Sequence, residues 1–151
     1  MRFEGTVEIA APRDQVWSFL TDPALVSTCA PDLQQLEVIE PDHFKIVVRA
    51  GVGPIKGTFT MDVRFTELRA PEHAEVLARG QAPGSAVEMR STMDLRDLGG
   101  GRTAMAWTSG VTVNGMIASV GARLMQGAAD KITQQVFACV KAKVEPATAP
   151  A

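Results

Sequence analysis

One change of rhythm constrains this chain more than any other feature. A long series of period-two runs gives way at Met116 to a helical period that lasts to about Val144. The longest alternation puts Ile55, Gly57, Phe59, Met61, Val63 and Phe65 on one side and Lys56, Thr58, Thr60, Asp62, Arg64 and Thr66 on the other. Comparable rows follow: Ala74, Val76, Ala78 and Gly80; Val87, Met89, Ser91, Met93 and Leu95; Met105, Trp107, Ser109, Val111 and Val113. Strands with one apolar and one polar face belong to an antiparallel sheet covered on one side. Ile117, Val120, Leu124, Ala128, Ile132, Val136 and Val140 then recur at spacings of three and four, the stripe of one long helix. Together they predict an α+β fold, a curved antiparallel sheet of about six to seven strands wrapped around a C-terminal helix.

The N-terminal part supplies the remaining elements. Arg2 to Ile9 alternates as a half-buried strand. Pro12 suits the first turn of a helix carrying Val16, Trp17 and Leu20, and Asp22-Pro23 caps a second short helix that ends before Pro31. Leu36–Glu40 and Phe44–Ala50 flank a turn at Pro41-Asp42-His43, and Leu98-Gly99-Gly100-Gly101 makes a later hairpin. Asn114 is the expected cap of the long helix and Pro146 its stop. Residues 1–144 read as one domain, and 145–151 (EPATAPA) as a disordered tail.

The segment GVGPIKG at 51–57 has the glycine and lysine content of a phosphate loop, but its context excludes that role. A phosphate-binding loop leads from a strand into a helix N-terminus, whereas Gly57 leads into the strand TFTMDVRF. Pro54 also removes an amide that a phosphate cradle would use. The glycines instead predict a tight corner between strands. Gly51, Gly53, Pro54 and Gly57 would form the rim of any pocket beneath it.

Composition narrows the function classes. The formal net charge of −2, with both signs interleaved, argues against nucleic acid as a partner. No apolar run reaches the length of a membrane span, and the N-terminus has no signal-peptide pattern, so a cytoplasmic protein is expected. Cys29 and Cys139 read as two buried thiols. His43 in a turn and His73 at a strand start after Pro71-Glu72 both read as solvated, with no metal-like spacing, and no metal site is expected. The inward rows carry Ser91 and Ser109 but no His, Asp, Glu or Lys to activate them, so no catalytic residue is assigned.

Small residues on the helix, Gly121, Ala122, Gly127, Ala128 and Ala129, leave room between helix and sheet. The expected cavity is apolar, lined by Trp17, Phe59, Met61, Met89, Met93, Met105, Trp107, Leu124, Met125 and Ile132. Methionine adapts its shape to a ligand, and tryptophan adds area and one N–H donor.

Three segments, VWSFLTDPALVSTCAPDLQQLE, GVGPIKGTF and GARLMQGAADKI, resemble the CoxG family of carbon monoxide dehydrogenase subunits, within the START-like, polyketide-cyclase-like helix-grip superfamily. The resemblance runs from about residue 1 to 143. Asp32 stands where that family usually has glycine, and the stretch 80–86 is less glycine-rich than its counterpart. Some relatives carry a C-terminal hydrophobic anchor that this sequence does not show. The resemblance implies a non-catalytic accessory protein of a molybdenum hydroxylase, with no fixed cofactor. It would carry a hydrophobic small molecule such as an isoprenoid quinone or lipid, or link the enzyme to the respiratory membrane by peripheral contact. A cyclase- or hydratase-like enzyme would need Asp32, Arg49 or Gln81 at the cavity mouth. A pure protein–protein adaptor would use the basic face of Lys45, Arg49, Lys56 and Arg64.

Overall fold

The computed structural model describes residues 1–145. The order is β1 (Arg2–Ile9), α1 (Arg13–Leu20), α2 (Pro23–Val26) and a 3₁₀ turn (Ser27–Cys29), then β2 (Leu33–Glu40), β3 (His43–Val52), β4 (Ile55–Arg69), β5 (His73–Ala82), β6 (Ser85–Gly99) and β7 (Arg102–Gly115). A 3₁₀ segment (Met116–Val120) leads into α3 (Ala122–Val144). The seven strands form one sheet in the order β1-β7-β6-β5-β4-β3-β2, antiparallel at every step. Five successive hairpins build β2 to β7, and β1 pairs with the free edge of β7. The sheet curves around α3, as the alternation of period two and period 3.6 predicts.

Local chemistry sets the element boundaries. Pro12 stands one residue before α1, and Asp22 caps α2 by accepting the Ala24 N–H at 2.9 Å. Val52 pairs with Ile55, so Gly53-Pro54 is a two-residue turn, with Gly53 at φ 59°. The glycine corner is therefore a hairpin tip. The stretch 80–86 closes in the same way around Pro83-Gly84. Asp32 has φ 41°, in the left-handed region, which accounts for the glycine usual at that position.

The start of the long helix corrects the sequence reading. Asn114 caps nothing; it lies within β7, paired with Ala86, and α3 begins eight residues later. Two glycines in the left-handed region, Gly115 at φ 83° and Gly121 at φ 91°, turn the chain between strand and helix. A Cβ on Gly115 would also collide with the Gly84 carbonyl oxygen. Glu145, grouped by sequence with the tail, accepts the Ala10 N–H at 2.8 Å. The rest of the tail, Pro146 included, lies outside the described residues.

The cysteine reading is also corrected. Cys29 and Cys139 are joined as a disulfide, with Cα atoms 5.5 Å apart and a sequence separation of 110. The C-terminal half of α3 lies against the 3₁₀ turn, and the sulfurs meet there. Sequence distance hides this contact because only the packing of helix on turn creates it.

The core consists of two clusters. The first gathers Phe44, Ile46, Val48, Phe59, Met61, Val63 and Phe65 from β3 and β4 with Ala78, Ile117 and Met125. The second gathers Ile9, Ala11, Val16, Phe19, Leu20, Leu95, Met105 and Val140 around α1 and the C-terminal half of α3. Ser27 is buried beside α2, and its hydroxyl has no hydrogen-bond partner among the described residues. Ser27→Ala removes that orphaned group and is expected to stabilise the fold by about 1 kcal/mol, measured by urea unfolding.

Candidate ligand-binding site

The buried residues form two separate clusters, and Val26 of α2 packs against both. Met89, Val87 and Val113 pack against the first, and Met93 and Trp107 against the second. Between them on β6 and β7 stand Ser91 and Ser109, facing partners in the ladder whose hydroxyls lie 3.0 Å apart. The helix repeats the division. Met125 belongs to the first cluster, while Val136, Phe137 and Val140 join the second. Ala128 packs against the first cluster as well, and the half-buried residues between are Ala129, Ile132 and Thr133, of which only Ile132 is large. Short side chains thus stand between the large residues of the two clusters on the sheet and on the helix alike. Met89, Ser91, Met93, Trp107 and Ser109 stay only half-buried although they lie on the concave face.

The residues predicted to line a cavity fall into three groups. Phe59, Met61 and Met125 are buried in the first cluster and Met105 in the second. Trp17, Met89, Met93, Trp107 and Ile132 are half-buried. Trp107 meets Phe137 edge-on, with ring centroids 5.5 Å apart. Leu124 is 45% exposed and reaches over Gly53 at the hairpin tip.

Two clefts flank α3. One of about 440 Å³ runs along β1 and β7 from Phe3 to Trp107 and is closed on the helix side by Gln126, Asp130 and Thr133. The other, of about 850 Å³, lies between the β3–β4 hairpin tip and the first half of α3. Gly51, Gly53 and Gly57 of the predicted rim line it, with Ala50, Leu124, Gly127 and Ala128; Pro54 is exposed outside it. Asp32 and Arg49 reach this mouth, whereas Gln81 is exposed on β5 and lines neither cleft.

The sequence pattern groups Arg49 and Lys56 on a basic face with Lys45 and Arg64. In the fold Arg64 binds Asp62 at 3.2 Å, while Arg49 and Lys56 meet Arg123 and Lys131 of the helix around the larger cleft. Lys131 lies seven residues after Leu124, so a shared helix face is legible in the sequence; that this face meets the hairpin tip is not.

The histidines also depart from their reading as solvated. His43 Nε2 lies 2.9 Å from Asp62 Oδ2 on the neighbouring strand. Burial works to raise the Asp62 pKa, but hydrogen bonds from His43 and Arg64 outweigh it and hold the carboxyl below its ordinary value. His73 Nδ1 lies 2.6 Å from Asp94 Oδ1, its cross-strand partner, and Nε2 is 3.3 Å from Glu75. The Asp94 hydrogen bond raises the His73 pKa against the opposing effect of partial burial, with help from Glu75. Glu67, His73 and Glu75 offer ligand atoms within 4.8 Å of one another, a metal-like grouping that the sequence spacing does not suggest. Here they form an ion-pair cluster away from both clefts.

That cluster predicts a pH effect. The raised His73 pKa contributes stability that is present below the ordinary histidine value of about 6.5 and is lost as pH rises through the folded value. The stability advantage of the wild type over Asp94→Asn is therefore expected to be larger near pH 5.5 than near pH 8.5. NMR titration of the imidazole in the two proteins checks the same shift directly.

The hydroxyls on the concave face are all engaged. Thr103 donates to the Ala11 carbonyl at 2.7 Å, Ser85 accepts the Ile117 N–H at 3.1 Å, and Ser91 and Ser109 bind each other. Among the described residues none is partnered by an imidazole or carboxylate that would activate it as a nucleophile.

A curved antiparallel sheet gripping one long helix, with clefts on both sides of that helix, is the START-like helix-grip arrangement. The family model for the CoxG subunit of carbon monoxide dehydrogenase matches residues 5–145. The chain belongs to that family. No curated protein is significantly similar to it in sequence. Among solved structures, a conserved protein from Geobacillus kaustophilus is similar over 95% of both chains, with 25% identity and a TM-score of 0.89. A START superfamily protein from Mycobacterium smegmatis is 15% identical over 95% of this chain and 97% of its own, at a TM-score of 0.70. The ZhuI aromatase/cyclase from Streptomyces sp. R1128 is 17% identical over 100% of this chain and 99% of its own, at 0.71. The last two establish the shared fold. Among the described residues of this CoxG-family chain, no helix is long and apolar enough to cross a membrane.

Proposed function

We propose that this chain is a non-catalytic accessory protein that carries a hydrophobic small molecule between the sheet and α3, for a molybdenum hydroxylase of the carbon monoxide dehydrogenase type. The observation that carries the reading is the division of the core into two clusters, with the Ser91–Ser109 pair between their large side chains on the sheet and Ala129 between them on α3. A fold has reason to leave Met89, Met93 and Trp107 half-covered if a ligand completes their burial. Each 100 Å² of apolar surface so covered is worth about 2.5 kcal/mol. An isoprenoid quinone fits: its ring can lie against methionine and tryptophan, and its tail can leave through a cleft beside the helix. The family's association with carbon monoxide dehydrogenase supports a client of this kind. A quinone cargo would also bring the protein to the surface of the respiratory membrane.

A cyclase role has less support, because among the described residues the concave face offers no acid–base pair and its hydroxyls are occupied. The test is native mass spectrometry of protein purified without detergent, followed by organic extraction of whatever it holds. A quinone or isoprenoid lipid released at near-stoichiometric amount is the expected result. A clean apo mass, unchanged after incubation with quinones, would exclude the carrier reading.

A further inference from the structure

The larger cleft has a chemistry that a neutral ligand does not explain. Arg49, Lys56, Arg123 and Lys131 line it, and Asp32 is the one acidic side chain among its walls. None of the four cations forms an ion pair within 4 Å among the described residues, while Arg2, Arg64, Arg69, Arg79, Arg90 and Arg102 do. Three net positive charges thus gather at one opening of a chain whose formal net charge is −2. Like charges held together without counter-ions repel one another, so the arrangement favours an anion between them. Between the cations the wall is apolar, and it is open: a Cβ built on Gly127 meets nothing within 4 Å.

We infer that this cleft is the binding site for the anionic head of an amphiphile, a carboxylate or phosphate held by Arg49, Lys56, Arg123 and Lys131 while its apolar tail passes Leu124 and Ala128 toward the gap between the core clusters. Arginine grips such a head with two parallel N–H donors, and lysine adds a mobile point charge. The inference rests on the carrier reading for the tail and adds to it a preference for charge at the head. Exposed, unpaired side chains can be changed without loss of fold, which makes the preference separable from the cavity itself.

The experiment compares dodecanoate, dodecyl phosphate, dodecanol and decylubiquinone by titration calorimetry, in the wild type and in a variant carrying Arg49→Gln, Lys56→Gln, Arg123→Gln and Lys131→Gln. The wild type is expected to bind the two anions about tenfold or more tighter than dodecanol at low salt. In the variant that ratio is expected to fall to near one, with the melting temperature and decylubiquinone binding unchanged. Equal affinity for anions and dodecanol in the wild type would overturn the inference and leave the carrier reading intact. Failure of all four ligands to bind would overturn both. Sedimentation with vesicles of phosphatidylglycerol against phosphatidylcholine separates the remaining source: charge-dependent vesicle binding without uptake of the monomeric anions would make the four cations a membrane-docking face and exclude the head-group site.

Discussion

Loss of the Cys29–Cys139 bond is expected to lower the unfolding free energy by about 2–5 kcal/mol. The bond closes a loop spanning 110 residues of separation, which contains β2 to β7 and most of α3. In the chain-entropy model a loop of about 100 residues approaches the top of that range. At this end the helix is otherwise held by Val140 in the second cluster, by the Trp107–Phe137 contact and by the Ala10–Glu145 hydrogen bond. Of its residues only Met125 and Val140 are buried, and Val136, Phe137 and Cys139 are half-covered. Breaking the bond frees the C-terminal half of α3 from the 3₁₀ turn, and amide exchange should rise there before it rises in β6 and β7. Urea unfolding of oxidised protein, reduced protein, Cys29→Ala, Cys139→Ala and the double variant measures the effect. If the cross-link is the cause, each single variant loses nearly as much as the double, because either removes the whole bond. Additive losses would assign the effect to two separate packing contacts instead, and an unchanged midpoint on reduction would show that the bond adds no stability.

The fold is legible in the sequence because burial on one face writes itself as a period. Phe59, Met61, Val63 and Phe65 have to share a face, and pairing of β4 with β3 and β5 needs only short turns at glycine and proline. Contacts between elements distant in sequence are what the pattern does not carry. Nothing local to Cys29 says that Cys139 lies beside it, and nothing local to Arg123 places it across a cleft from Lys56. His73 looks like a solvated residue at a strand start until its register opposite Asp94 fixes its partner. The helix start fails for a related reason: Asn114 has the chemistry of a cap, but the β6–β7 ladder claims its backbone first. The apolar lining residues on the strands follow from parity alone. Parity tells inward from outward; it cannot tell a side chain locked in a cluster, such as Met105, from one left half-covered, such as Met93.

Filling the gap should abolish ligand uptake while leaving the fold intact. The variant is Ser109→Phe combined with Ser91→Ala, which adds a ring between the two clusters without leaving a lone buried hydroxyl from the Ser91–Ser109 pair. In a close-packed core a substitution of this size costs about 1–3 kcal/mol through forced rotamers and backbone shifts. In a site kept open for a ligand the ring instead takes space that is otherwise vacant, beside Met89, Met93 and Trp107, and gains their contacts. The expected result is therefore a melting temperature equal to or above that of the wild type, with decylubiquinone no longer quenching the fluorescence of Trp17 and Trp107. Ser91→Ala with Ser109→Ala is the control and should keep both stability and binding. A loss of a few kcal/mol in the phenylalanine variant would show a filled core at this position. Retained quenching in a stable phenylalanine variant would move the ligand out of the grip and onto the clefts beside α3. The stability and the quenching together decide where the ligand sits, because the same ring can destabilise a packed core or occupy an open site, but it cannot do both.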